Sequence, residues 1–528
     1  MSDSAVPPRA EARGPAPRGV RHVIAVGGGR GGVGKSVLAV NLSVYLAQLG
    51  RSVVLIDADP AGAELHTLLG LDAPIESAGR DDSDDDDLSV LPTPVPGLSL
   101  MPQRYSVGST SPIRPGRKAR WARGLRQLDA DYVLLDLGSG TAPATLDLFL
   151  AADLGLCVTA PEPPSIEATY RFARALFVRK LRRALVKDRF RMRLVERAQS
   201  ELTALPSPLE LVRVIARYDP GAGELAAAEL QRLHPRLILN GTRLRPDSDI
   251  APAMCDLSLR YLGVRFDYVG AIEQDDAVWL SVVRRRPVLI DSPASKSARN
   301  LERIARRVLA LATSREQPRS EPPRAIVPEE PNLYEVLWSH PSASDEELRR
   351  AYKRQREIYQ AGSLPLTSLL DAEQLRVEQA RIEEAHETLL DPLRRRAYDV
   401  STFPENEPPE PERNVMLDAA LLAERAMLQQ ELARELNSET EFTGQLLRKV
   451  RESQGIELEE IVKHTKISNH HLSAIETEDF ASLPALVYTR GFVQQVAKYL
   501  KLDPAQVTKT YLRRLRHWRA ASSGETTP

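Results

Sequence analysis

The sequence predicts an α/β domain with a mostly parallel sheet, followed by two small all-α modules joined by Pro-rich linkers. Three observations carry this expectation. Residues 22–312 alternate apolar runs of strand length with helical patterns, the signature of βαβ units. Two charged, proline-rich stretches, 314–331 (SREQPRSEPPRAIVPEEP) and 401–413 (STFPENEPPEPER), read as linkers. The regions after each linker carry helical patterning only. The expected boundaries are a disordered leader at 1–21, the α/β domain at 22–312, a linker at 313–331, a helical module at 332–399, a second linker at 400–413, a helical region at 414–520 and a tail at 521–528.

Composition narrows the classes of function. The 528 residues suit three or four domains. Lys plus Arg number 71 and Asp plus Glu 72, so nucleic acid or acidic lipid can be met only by a local patch. The two cysteines, Cys157 and Cys255, lack metal or redox spacing; this argues against a disulfide framework and a Cys-based zinc site, and fits a reducing compartment. No apolar run approaches the roughly 18 residues of a membrane span. Residues 1–21 lack the apolar segment of a secretory signal. A cytoplasmic location is expected. The nearly all-Asp run from Asp81 to Asp87 reads as a solvated loop.

The first chemical motif lies at the start of the α/β region. The apolar run 22–26 (HVIAV) reads as a buried strand, and Gly27 to Ser36 (GGGRGGVGKS) leads from it into a helical pattern reaching Leu49. This satisfies G-x-x-x-x-G-K-[ST] in its strand–loop–helix setting. Glycines let backbone N–H groups converge on phosphate oxygens, and the helix N-terminus adds its positive dipole end. In this pattern Lys35 reaches the β- and γ-phosphates and Ser36 offers its hydroxyl to Mg²⁺. Two further apolar runs end in acids: Val53 to Ile56 before Asp57 and Asp59, and Tyr132 to Leu135 before Asp136. Ligands of open parallel sheets sit at the carboxyl ends of strands, so these acids are expected at the same edge as the loop. A lone Asp after a strand is ordinarily a cap or turn residue; two such sites beside a phosphate loop favour the metal reading.

These stretches resemble the MinD/ParA/FlhG superfamily of deviant Walker A ATPases over roughly residues 22–312, with an extra basic helical stretch near 177–235. Gly29 to Ser36 resembles the family's phosphate loop, Val53 to Asp59 its first switch, and 131–140 (DYVLLDLGSG) its second switch. The segments 161–167 (PEPPSIE) and 237–240 (LILN) resemble later family segments. The resemblance implies ATP and Mg²⁺ as cofactors and an ATP-dependent homodimer acting as a spatial switch for flagella, polarity or chromosome cargo. Carried over by position, Gly29, Arg30, Gly31, Gly32, Val33, Gly34, Lys35 and Ser36 bind nucleotide, and Asn240 reads adenine. Ser36, Asp57 and Asp136 hold Mg²⁺, Asp59 positions the attacking water, and Lys35 and Arg30 complete the catalytic set. Arg30 stands where the family has its signature lysine. Its planar five-donor head is no neutral replacement, so ATP binding with slow or altered hydrolysis is expected.

The first helical module opens at Leu333 to Leu337, and Ser344 with Asp345, Glu346 and Glu347 offers a cap and an acidic first turn. The simplest reading is a small helical hairpin. The segments 334–337 (YEVL), 346–354 (EELRRAYKR) and 382–399 (IEEAHETLLDPLRRRAYD) resemble a J-domain of the DnaJ type. Gln360-Ala361-Gly362 replaces the His-Pro-Asp loop with which that family stimulates chaperones. The degenerate loop implies a protein-docking scaffold rather than a cochaperone.

In the last module, two short helical patterns flank a turn at Thr465 to Ser468, as in a helix-turn-helix. The runs 472–476 (LSAIE), 488–492 (YTRGF) and 499–504 (YLKLDP) resemble RodZ-like helix-turn-helix domains over about residues 442–515. Asn469, His470 and Ser473 form the expected recognition surface. Glu476, Glu478 and Asp479 on the same segment argue against phosphate approach, while Arg513, Arg514, Arg516 and Arg519 offer phosphate contacts elsewhere. A protein partner is favoured over DNA. Arg299 to Leu311 is amphipathic and gives a possible peripheral membrane contact, with core packing the preferred reading.

The leading expectation is an ATP-binding, dimerisation-switched regulator with tethered partner-binding modules. The alternatives are a helix-turn-helix transcription regulator carrying an ATP-sensing domain, and a nucleotide-independent scaffold with a degenerate ATPase.

Overall fold

The computed structural model describes residues 22–59, 64–72, 90–102, 125–203, 205–243, 247–313, 331–403, 432, 440–456 and 458–523. The expected leader and the acidic run at Asp81 to Asp87 lie outside these residues. The chain divides into two units, one of residues 1–308 and 315–413, the other of 309–314 and 414–528.

The first unit is built on an eight-stranded sheet. In chain order the strands are β1 (His22–Gly27), β2 (Val53–Ala58), β3 (Leu91–Pro92), β4 (Leu98–Met101), β5 (Tyr132–Leu137), β6 (Leu154–Thr159), β7 (Arg236–Thr242) and β8 (Asp267–Glu273). Their spatial order is β3-β4-β2-β5-β1-β6-β7-β8. All pairs are parallel except β3 on β4. Helices cover both faces, which is why the strands read as continuous apolar runs rather than as alternation. On one face α1 (Lys35–Gln48) packs on β1, β2 and β5. Val23, Ala25, Val54, Ile56, Val133 and Leu135 point into the other layer. That layer holds α3 (Pro143–Ala151), α4 (Pro163–Ala184), α5 (Arg189–Glu201), α6 (Pro208–Tyr218), α7 (Pro220–Gln231) and α8 (Asp247–Leu262). The short α2 (Leu65–Leu68) follows β2, and α9 (Asp276–Val283) and α10 (Val288–Asp291) follow β8.

Helix α11 (Lys296–Thr313) buries Leu301, Ile304, Ala305 and Val308. Its apolar stripe is therefore core, and Gly270 of β8 leaves room for Ile304 where a Cβ would come within 2.8 Å.

The middle module comprises α12 (Leu333–Leu337), α13 (Asp345–Ile358), α14 (Ala372–Leu390) and α15 (Pro392–Thr402). The first three open with full capping boxes, at Asn332, Ser344 and Asp371. The module does not hang free on its linker. Ala253 and Leu257 of α8 share one apolar cluster with Tyr334, Leu337, Tyr359, Leu366 and Ile382. The Tyr170 hydroxyl of α4 donates to the Pro365 carbonyl at 2.7 Å, and the Tyr261 and Tyr359 hydroxyls meet at 2.8 Å. Arg260 pairs with Glu378 at 2.5 Å, and Arg354 with Asp256 at 2.8 Å. Gln360, Ala361 and Gly362 form an exposed turn directly before the segment that docks.

The second unit is all-α: α16 (Gly444–Ser453), α17 (Leu458–Thr465), α18 (Asn469–Thr477), α19 (Leu486–Tyr499) and α20 (Pro504–Ser523). Leu447, Ile461, Leu472, Ile475, Val493, Val507 and Leu515 form its core. Ser468 caps α18 by accepting from the His471 N–H. No helix among the described residues is long and apolar enough to cross a membrane.

Candidate functional site

Gly28 to Gly34 turn the chain from β1 into α1 at the carboxyl edge of the sheet. Two glycines are there for steric reasons. A Cβ at Gly29 would stand 2.0 Å from the Ala168 carbonyl oxygen of α4. Gly34 has φ +88°, and a Cβ there would stand 2.3 Å from Asn240 Nδ2. The Lys35 ammonium curls back to donate to the Arg30 carbonyl at 3.0 Å. Asn240, at the end of β7, donates from Nδ2 to the Val33 carbonyl at 2.8 Å. The residue expected to read the base is thus placed as a strut of the loop. The segment after β5 is tied in as well, since the Gly140 N–H donates to the Gly28 carbonyl at 3.1 Å.

The acids sit where parallel register puts them. Asp57 and Asp136 are direct partners on β2 and β5, and both are almost fully buried. The Ser36 hydroxyl hydrogen-bonds to Asp136, while Asp136 Oδ1 is buried without a partner. Asp57 accepts from the Leu65 N–H at 3.4 Å and the Asp59 N–H at 3.3 Å. Asp59 is half-buried, and its charge bears on Lys35 and on both buried acids. Burial lowers the Lys35 pKa, and the charges of Asp136 and Asp59 oppose that shift. Burial raises Asp57 to about 7, with the Asp136 charge adding to the shift. Burial also raises Asp136 to about 7, against the Ser36 hydrogen bond and the Lys35 charge.

This donor set fits Mg²⁺ carried by a nucleotide. A buried carboxylate oxygen without a partner beside a hydroxyl suits a cation, and Mg²⁺ takes one or two carboxylates, keeps waters and fills the rest from phosphates. No group of three or more His, Cys, Asp or Glu among the described residues forms a complete protein cage.

The acid pair makes stability pH-dependent without nucleotide. Both carboxyls are raised from 3.8, so between about pH 4 and pH 7 the folded state holds protons that the unfolded state has lost. Stability conferred by the protonated pair is present at the acid end and fades as pH rises through 7. Asp136→Asn is expected to raise the melting temperature of the nucleotide-free chain by several degrees at about pH 8, and hardly at about pH 5. Calorimetry at the two pH values checks this; a lower melting temperature for the variant at the higher pH contradicts it.

Two residues of the site escape sequence reasoning. Ser139 faces Gly31 across the mouth of the loop, its Oγ 3.5 Å from where a Cβ would stand. Its signal is only its place in the run after Asp136. Cys157, opposite Gly27 on β6, lies fully buried under the loop, and burial pushes its thiol up to about 12. It is an inert floor residue.

In the second unit, Asn469, His470 and Ser473 are all exposed on α18, with Lys463 and Lys466 exposed on and after α17. The charge objection drawn from the sequence is corrected here. Glu476 is buried and bidentate with Arg451, at 2.6 and 3.0 Å. Glu478 is bidentate with Arg514, at 3.0 and 2.7 Å, and Asp479 accepts from the Ser482 hydroxyl. Arg514 pairs with Glu478, Arg513 pairs with Glu441 at 2.8 Å while half exposed, and Arg516 is exposed. The Arg519 side chain lies outside the described residues.

Comparison with known proteins finds family matches over both regions. Residues 19–183 match a family model described as NUBPL iron-transfer P-loop NTPase, and residues 446–507 match one described as Helix-turn-helix domain. The antiactivator FleN of Pseudomonas aeruginosa is 27% identical over 289 residues, covering 54% of this chain and 86% of that protein. An iron–sulfur cluster carrier protein of Aquifex aeolicus is 33% identical over 153 residues, 27% of this chain but only 40% of that protein. The septum site-determining protein MinD of Pyrococcus horikoshii, solved with Mg-ADP, is 18% identical, covering 55% of this chain and 97% of that one, with a TM-score of 0.35.

Proposed function

We propose that this chain, which carries a ParA/MinD-type P-loop NTPase domain and a C-terminal helix-turn-helix domain, is an ATP- and Mg²⁺-dependent positioning regulator that dimerises on binding nucleotide. The observation carrying this reading is the convergence of Lys35, Ser36 and the buried pair Asp57 and Asp136 on one phosphate loop. FleN supports a flagellar setting, being matched over most of its length. Iron–sulfur transport is not supported. Clusters are held by Cys thiolates, and of the two cysteines here one is the buried floor residue Cys157.

Within this reading, Lys35 and the loop amides hold the triphosphate. Ser36, Asp57 and Asp136 hold the metal, which neutralises phosphate charge. Asp59 orients water, and Asn240 keeps the loop in register while bordering the base. Arg30 is the residue that sets turnover. Light scattering of the full chain with and without ATP and Mg²⁺ tests the switch, with a shift from monomer to dimer mass as the expected result. In the same preparation Arg30→Lys is expected to raise ATP turnover about tenfold or more, with ATP affinity little changed. An unchanged mass with saturating ATP overturns the switch, and equal turnover overturns the role of Arg30.

A second reading concerns the helix-turn-helix. With Glu476 and Glu478 paired internally, Lys463 and Lys466 stand exposed beside Asn469, His470 and Ser473, with Glu460 and Asp479 also exposed, and duplex DNA is the alternative partner of this mixed face. Mobility shifts whose affinity falls steeply with salt support DNA. Salt-insensitive protein capture by this unit supports the RodZ-like alternative.

A further inference from the structure

Helices α4 and α5 and the turn between them form a hairpin whose tip the nucleotide chemistry does not use. Its inner side is core: Leu181, Leu185, Val195 and Ala198 are buried. Its outer side leaves Val186 71% and Phe190 68% exposed. Around these two apolar side chains, Arg182, Arg183, Lys187, Arg189 and Arg193 are all exposed or nearly so at the surface. Between residues 182 and 193 the one carboxylate is Asp188. It is spent on capping α5, accepting from the Arg191 N–H at 3.0 Å, with Arg191 Nε at 3.7 Å. Arg182 donates to the neutral Gln199 amide and Arg183 to the Asp147 carbonyl, so these bonds cancel neither charge.

The hairpin also projects. A crossover helix starts at the carboxyl edge of the sheet and runs back along it. The 22 residues of α4 span about 33 Å, against about 20 Å for the six of β6. The tip therefore extends past the edge of the sheet opposite the phosphate loop.

We propose that this tip is a docking surface for an anionic lipid bilayer. Val186 and Phe190 enter the interface, and the surrounding guanidinium and ammonium groups meet acidic headgroups. A duplex backbone would satisfy the cations but leave both apolar side chains in water. Helix α11, the amphipathic segment the sequence offers for membrane contact, has its apolar stripe committed to the core. The proposal needs neither the phosphate loop nor the helix-turn-helix, so it stands or falls independently of the functional reading above.

The test is flotation of the full chain with phosphatidylcholine vesicles, plain or containing about one third phosphatidylglycerol, at moderate salt, with random-sequence duplex as a parallel ligand. Binding to the anionic vesicles alone is expected. It should weaken about tenfold or more in Val186→Ser/Phe190→Ser and in Lys187→Glu/Arg189→Glu, and persist in Phe190→Trp. All four positions are at the surface, so an unchanged melting temperature is expected and certifies folding. The proposal is overturned if anionic vesicles are not bound, or if the apolar double variant floats like the wild type. It is equally overturned if the charge reversals abolish duplex binding while vesicles are ignored, which makes the tip a nucleic-acid surface.

Discussion

Lys35→Ala is expected to weaken ATP binding by at least about a hundredfold and to leave the chain monomeric at any practical ATP concentration. Lys35 is 7% exposed, and its ammonium donates to the Arg30 carbonyl at 3.0 Å. At the mouth of a glycine-rich loop such a buried cation, with the charges of Asp136 and Asp59 acting on it, suits phosphate oxygens. Charge-assisted bonds to phosphate contribute about 1.5–3 kcal/mol each, and two such bonds at the β- and γ-phosphates account for the loss. The substitution also removes the cation that offsets Asp136, so the pocket repels phosphate more strongly. Lys35→Arg should not rescue, because a planar head does not fit a loop that encloses a point charge. The fold should tolerate the change, since burial already disfavours the charged Lys35. Titration calorimetry gives the affinity and light scattering the mass. ATP affinity within threefold of wild type would remove the basis of the nucleotide switch.

What the sequence reveals about this site, and what it hides, follows from the range of the forces involved. The sheet was legible because β1, β2 and β5 are buried on both sides, and such strands must be apolar throughout. Lys35 and Ser36 could be singled out by their fixed interval after β1, and Asp57 and Asp136 as the acids that interrupt the apolar runs of β2 and β5. Asn240 was visible as a strand-end residue, but its bond to Val33 spans 207 positions and has no local signature. The acids of α18 misled for a related reason. A helix sequence shows charge, not the partner that cancels it, and Arg451 lies 25 residues before Glu476. The docking of the middle module was hidden most completely. A proline-rich linker signals freedom, yet the contacts that end this freedom join Arg260 to Glu378 and Tyr261 to Tyr359, 118 and 98 positions apart.

Those contacts carry the second large effect. Glu378→Ala is expected to destabilise the first unit by about 3–5 kcal/mol, far more than a surface ion pair contributes. Glu378 and Arg260 retain only 11% and 15% side-chain exposure, and Arg260 Nη1 is already buried without a partner. Removing the carboxylate leaves a guanidinium trapped between the Tyr261 and Tyr359 rings, at 5.6 and 5.8 Å. Arg260→Met/Glu378→Leu should recover most of the loss, because a well-packed apolar pair avoids desolvating either charge. Hydrogen exchange distinguishes a docked module from a tethered one. If the module is part of the body, protection falls together in α14 and in α8; if it merely hangs on its linker, α8 keeps its protection. Coupling to the phosphate loop is expected, because α8 follows β7, the strand that brings Asn240 to Val33. Linkage is reciprocal, so any loss of ATP affinity in Glu378→Ala must appear as added protection of α14 when ATP binds the wild type. A module seated on α8 is thus held at a set place on the α/β domain.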